Sequence, residues 1–383
     1  MARYRRRIHT VFLTLVGVFA LIEGIILFPA ILDGDAQSPN SAVDPKLLIS
    51  NREPSLAPGI PHERLAEYHI EKFDYVSVQN GQKLWRIQAE EAFLYNAERL
   101  THSKMITADL YDPEGQITHV TGLEAKYFLN HKDLEIYGNV KTHFPDGFTL
   151  ESEYLRYQPN QKLIQIPKKY LAHGSGKQSD EQTFRFTSQG LDYFMGEARI
   201  QLLQDVKVML EKPAKDSASS LGIPDQTTIE SDHCLILRNE NHATFTMDPK
   251  RKASTRFIHI IQPTLFVRAR KAILNYGDFS KVLQYLTAYD DVIIKETGKS
   301  GEEMRYATGQ KADFDTRQDQ ILLTGFPQVY QGGDTVTGDF VLMHRNSEII
   351  EIGHSNAFSE GKNERTETDS DTKSKEPLQK LSR

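Results

Sequence analysis

The chain has 383 residues, 39% of them hydrophobic, and a formal net charge of −6. That length gives room for two ordinary folded domains with appendages, and the mild acidity argues against a general nucleic-acid binder, which needs a basic face. The single cysteine, Cys234, excludes an intramolecular disulfide and reads as a small apolar filler.

Taken from the N-terminus, residues 1–10 are basic, with Arg3, Arg5, Arg6 and Arg7. Residues 11–32 are almost wholly apolar, and as a helix they reach about 33 Å at about 1.5 Å per residue, enough to cross a bilayer core. Asp33 and Asp35 follow. This charge asymmetry predicts one transmembrane helix with a cytoplasmic N-terminus and the bulk of the chain on the far side. A cleaved signal peptide is the rival, although its apolar region usually runs only about 7–15 residues. Glu23 lies inside the span, where an ionisable group is costly. It is a candidate contact to another membrane protein; the plainer reading is a neutralised glutamate tolerated in a long apolar helix. Residues 33–65 are proline-rich and predict an extended spacer.

From 66 to 210 the pattern is strand-like. Residues 73–78, 84–89 and 106–110 read as short strands, with Asn80-Gly81 marking a hairpin. A meander follows at 117–166, then strands at 183–188 and 197–210. Within it Leu134, Ile136, Gly138, Val140, Thr142 and Phe144 share one parity, and Glu135, Tyr137, Asn139, Lys141 and His143 the other. Period two turns alternate side chains to opposite faces, so this strand has one apolar and one wet face. The phrase recurs: Tyr127 precedes Val140 by thirteen residues, Tyr193 precedes Val206 by thirteen, and Phe314 precedes Val329 by fifteen. Such recurrence fits either stacked supersecondary units that bury a core together or an ordinary antiparallel sandwich with similar strands.

Residues 211–227 predict an interdomain linker. Strand phrases resume at 228–237, 242–247, 257–261, 265–274, 292–295, 321–323 and 339–343. Residues 279–289 fit a strand or one face of a helix. The tail, 359–383, is charged and nearly free of large apolar residues, which predicts disorder.

Catalytic signatures are missing. Gly298-Lys299-Ser300 has Ile293 where a phosphate loop needs glycine, the histidines form no metal-spaced cluster, and no nucleophile element is present. These features predict a non-enzyme without cofactor or metal.

The combination of basic N-terminus, single span, spacer and repeated strands resembles the LptC family of lipopolysaccharide-export bridge components. The phrases that carry it are Leu84-Trp85-Arg86-Ile87-Gln88-Ala89, Ala125-Lys126-Tyr127, Leu134-Glu135-Ile136-Tyr137-Gly138-Asn139-Val140 and Gly147-Phe148-Thr149-Leu150-Glu151-Ser152. The second half resembles the LptA/OstA-type domain, through residues 307–314, Leu323-Thr324-Gly325 and Gly338-Asp339. The extra domain departs from the usual one-domain LptC plan. The resemblance implies an all-β chain of two tandem open β-jellyrolls, at 66–210 and 228–358, each with an apolar groove for lipid acyl chains. Groove candidates are Leu134, Ile136, Val140, Phe144, Ile200, Leu202, Val206, Val208, Ile321, Leu323 and Val329, with Glu135, Lys141 and Lys207 turned away. It also implies lipopolysaccharide as ligand, an inner-membrane ABC transporter as energy source, and a periplasmic bridge protein joined by edge-strand pairing. The alternative is a tethered β-scaffold with a closed core that binds only protein. The two units are expected to pair edge to edge, leaving the strand near 339–343 open for the next protein.

Overall fold

The structure, a computed structural model, describes residues 55–60, 66–112, 115–179, 182–211, 226–252, 255–277, 283–297, 303–345, 349–354 and 356–359. The expected span with Glu23, most of the spacer, nearly all of the 211–227 linker and all of the tail but Ser359 lie outside these residues. Among the described residues no helix is long and apolar enough to cross a membrane.

The described chain is built from strands. The first eight are β1 (Tyr68–Gln79), β2 (Gln82–Tyr95), β3 (Leu100–Tyr111), β4 (Ile117–Phe128), β5 (Leu134–His143), β6 (Thr149–Gln158), β7 (Leu163–Ser179) and β8 (Gln182–Phe194). Shorter ones follow: β9 (Arg199–Leu202), β10 (Val206–Glu211), β11 (Gln226–Ser231), β12 (His233–Leu237), β13 (His242–Thr246), β14 (Ile258–Gln262), β15 (Leu265–Ala269) and β16 (Lys271–Tyr276). The last are β17 (Leu283–Thr297), β18 (Glu303–Asp315), β19 (Gln320–Thr324), β20 (Gln328–Gln331), β21 (Asp334–Thr337), β22 (Phe340–His344), β23 (Ile350–Gly353) and β24 (Asn356–Ser359). All pairings are antiparallel and join the strands into one continuous sheet.

Register breaks divide that sheet into two walls. β5 pairs with β6 through Leu134–Tyr137 and again through Val140–His143, with a shift between. Equivalent breaks fall between Thr121 and Glu124 on β4, Ile166 and Leu171 on β7, and Tyr289 and Val292 on β17. Each long strand therefore bends midway and serves both walls. Beyond β8 most of the chain uses separate short strands. One wall continues β8–β9–β12–β13–β16–β17, the other β8–β10–β11–β14–β15–β17.

The crease carries left-handed backbone, which L-residues adopt reluctantly. Lys72, Met105, Asn139, Asp290 and Asp291 all have positive φ there. Gly138 (φ +75°) and Gly325 (φ +74°) are left-handed as well. Glycine takes the bend, and the apolar residues before and after it line opposite walls. A Cβ on Gly138 would also come within 2.7 Å of Leu56 Cδ1.

Three single runs expected from sequence, 197–210, 228–237 and 265–274, are each two strands, because the chain crosses from one wall to the other within them. Of the ambiguous segment 279–289, residues 283–289 are strand and 279–282 lie outside the described residues. The two halves pair edge to edge as expected, through Val206–Glu211 with Gln226–Ser231 and Arg199–Leu202 with Leu237–Cys234. The expected open edge near 339–343 is corrected: Val341 pairs with Leu323 on one side and Ile352 on the other, so the outer strands are β23 and β24. A single apolar core runs between the walls from Trp85 to Met343.

Candidate functional site: the seam cavity and its lip

Alternation along the strands sends apolar side chains between the walls. Leu134, Ile136, Val140, Phe144, Ile200, Leu202, Val206, Val208, Ile321, Leu323 and Val329 are all buried there. Their opposites face out: Lys141 lies beside Glu151 at 3.7 Å and Lys207 beside Glu230 at 3.2 Å, while Glu135 is half-buried and accepts a hydrogen bond from the Tyr137 hydroxyl at 2.6 Å.

Most of this interior is filled by its own side chains. At the seam between the two halves it is not. There a cavity of about 320 Å³ opens between the walls, within the size range of small-ligand pockets. Phe148, Phe184, Phe186, Val208 and Leu210 line it from one wall, and Ile200, Ile236, Ala243, Phe245 and Tyr276 from the other. Of the eleven groove candidates only Ile200 and Val208 border this space. Phe144 sits behind it, stacked on Phe148 at 5.0 Å and edge-on to Tyr193 at 5.3 Å. Cys234 is buried in the same region, and burial pushes its thiol well above the usual range.

The lip is polar, with Asp146, Arg238, Asn239, Asn241 and His242. Asp146 lies in the β5–β6 turn of one wall, and Arg238 opens the short 3₁₀ turn Arg238–Glu240 after β12 of the other. Arg238 Nη2 donates to Asp146 Oδ2, so the pair joins rim to rim. Burial works against the Arg238 charge, but Asp146 and the Tyr193 hydroxyl more than offset it and raise the guanidinium above its ordinary value. Burial likewise raises the Tyr193 hydroxyl, although Arg238 pulls it part of the way back.

Two features escaped the sequence reading. The outer face of β2–β6 is not uniformly wet: Tyr137, Tyr154, Tyr95 and Leu100 form a second cluster covered by Ala57 and Ile60. Residues 55–60, expected in the spacer, are thus packed as a strap. Glu124 holds it, accepting hydrogen bonds from Ser55 Oγ (2.6 Å), Leu56 N (3.0 Å) and Ala57 N (3.2 Å), with His102 Nε2 at 2.9 Å. Lys126 Nζ adds a bond to Pro58 O at 2.6 Å. The second is a buried ion pair between the walls, Arg305 Nε to Glu296 Oε2 at 2.9 Å, with Arg305 Nη2 donating to His344 O at 2.8 Å. Parity signalled this one, since Arg305 and Glu296 share the inward parity of Ala307 and Ile294. Among the described residues no group of His, Cys, Asp and Glu is placed to hold a metal ion.

The architecture is thus an open, two-walled β-jellyroll with an apolar interior, repeated across a seam. Residues 47–211 match the family model described as lipopolysaccharide-assembly, LptC-related, and residues 228–349 that of the LptA/(LptD N-terminal domain) LPS transport protein. Its first half thus matches an LptC-related domain and its second half an LptA-type domain. Among solved structures it is similar to LptH of Pseudomonas aeruginosa, the LptA homologous periplasmic component of a lipopolysaccharide transport device. That likeness has 11% identity over 35% of this chain and 95% of the other, with a TM-score of 0.31. No curated protein matches the chain.

Proposed function

We propose that this protein is a non-enzymatic lipid conduit in lipopolysaccharide export. It is tethered to the inner membrane by residues 11–32, and its two jellyrolls, at 66–210 and 228–358, carry lipopolysaccharide between their walls toward the outer membrane. An inner-membrane ABC transporter supplies the energy, and a periplasmic bridge protein continues the path by strand addition at the far edge. The observation that carries this reading is the seam cavity: an apolar space left open where one half's walls continue into the other's. The two family matches supply the pathway. A second reading, a β-scaffold that binds only protein, draws support from the nine groove candidates already packed in a filled core.

Photocrosslinking in living cells separates the two. Crosslinkers at Ile200 and Val208 should capture lipopolysaccharide, and crosslinkers at Lys141 and Lys207 should not. Equal capture from both sets, or capture of protein alone at Ile200 and Val208, refutes the conduit. The tether is tested by a reporter fused at the C-terminus, which should be active only outside the cytoplasm.

A further inference from the structure

The Arg238–Asp146 pair spans a stretch of rim that overlies open apolar space. Asp146 belongs to the first half and Arg238 to the second, 92 positions apart in sequence, so the contact ties both the two walls and the two halves together. Each side chain is about a third exposed (37%), within reach of a solute arriving from solvent. Tyr193 engages the same guanidinium from the wall below. A guanidinium presents a planar fork that suits a carboxylate or a phosphate equally well in shape, and a phosphate monoester brings more charge.

We infer that Arg238 and Asp146 form a clasp over the seam cavity, and that the anionic headgroup of an acyl-chain ligand opens it by taking the place of Asp146 on Arg238. The exchange leaves no charge uncompensated at Arg238 and frees Asp146 to solvent. It also admits the acyl chain to the space lined by Phe148, Phe186 and Phe245. Headgroup recognition and opening of the mouth then become one event. This inference rests on the conduit reading and adds to it a specific requirement for an anion.

The test uses the full-length chain in detergent and two fluorescent probes, a single-chain acyl phosphate monoester and its dephosphorylated counterpart. Wild type should prefer the phosphate-bearing probe by about tenfold, the scale of one charge-assisted hydrogen bond. Arg238→Gln should erase the preference while leaving the dephosphorylated probe bound at least as well. Asp146→Asn, which loosens the clasp without removing the guanidinium, should tighten both probes. Millimolar inorganic phosphate should weaken the phosphate-bearing probe and spare the other, which separates an anion site from detergent-like partitioning. A preference that persists in folded Arg238→Gln overturns the clasp, as does inorganic phosphate without effect on the phosphate-bearing probe. Should Arg238→Gln fail to fold by thermal melting, Asp146→Asn decides alone, and unchanged affinities overturn the clasp. Equal binding of both probes to wild type overturns the clasp and leaves the conduit standing. No binding of either probe overturns both.

Discussion

Removing the Glu124 carboxylate should release the strap at residues 55–60 from the outer face. Bonds to a charged acceptor contribute about 1.5–3 kcal/mol each, and Glu124 engages four donors. Ordering the strap backbone opposes this by about 1–2 kcal/mol per residue, so over residues 55–60 the two nearly cancel. What remains is apolar burial, chiefly Ile60 on the tyrosine cluster, at about 1.5–3 kcal/mol. Glu124→Ala tips that balance. The strap should undock, with a loss of about 2–3 kcal/mol in denaturant unfolding. Amide exchange at Leu56 and Ala57 should rise to solvent-exposed rates while β5 and β6 stay protected. A variant with wild-type protection at Leu56 and Ala57 would refute the reasoning. Acid should mimic the substitution. Burial pushes Glu124 up, but hydrogen bonds from Ser55, Leu56, His102 and Ala57 outweigh it and hold the carboxyl below its ordinary value of 4.5. A depressed pKa stabilises fully above the unfolded value, and that stability disappears as pH falls through the folded one. Strap protection should therefore be constant at neutral pH and fall only below about pH 4.5.

Gly138→Ala forces a left-handed Cβ against Leu56 and should destabilise by roughly 1–2 kcal/mol, read by thermal melting; an unshifted melt refutes the crease argument. Val341→Pro removes a donor from a strand paired on both sides, so it should unfold the last strands rather than merely block a docking edge; a native circular dichroism spectrum and melt would contradict this. Cys234, buried with its thiol raised, should resist maleimide at pH 7–8 in the native chain and react fully in denaturant. Fast native labelling would mean that the seam opens spontaneously.

Period two told which face of each strand is apolar, and for Leu134, Ile136, Ile200, Leu202, Ile321 and Leu323 that face is the inner one. It is silent on what covers the other face. Tyr137 stood on the wet parity and is buried, because its cover comes from residues 55–60, far away in sequence. Bends were half legible. Gly138 and Gly325 mark crease positions, whereas Lys72 and Met105 bend the chain with residues that carry no turn signal of their own. The seam cavity was illegible, since alternation specifies that side chains meet between walls but not how well they fill the gap. The lip pair was equally hidden, because no local pattern joins Asp146 to Arg238.

The ladders also bear on how the chain reaches this state. The widest separation that any of them bridges is from Arg199 to Leu237, 38 positions, and most bridge fewer. Loop closure is therefore cheap at every step, and each finished edge templates the next hairpin. A chain synthesised from its N-terminus can lay down this sheet in order, never waiting for a distant segment to arrive. The seam between the halves is then only one more addition. The strap breaks that rule, since Ser55 must wait for Glu124, 69 residues later, before it can settle.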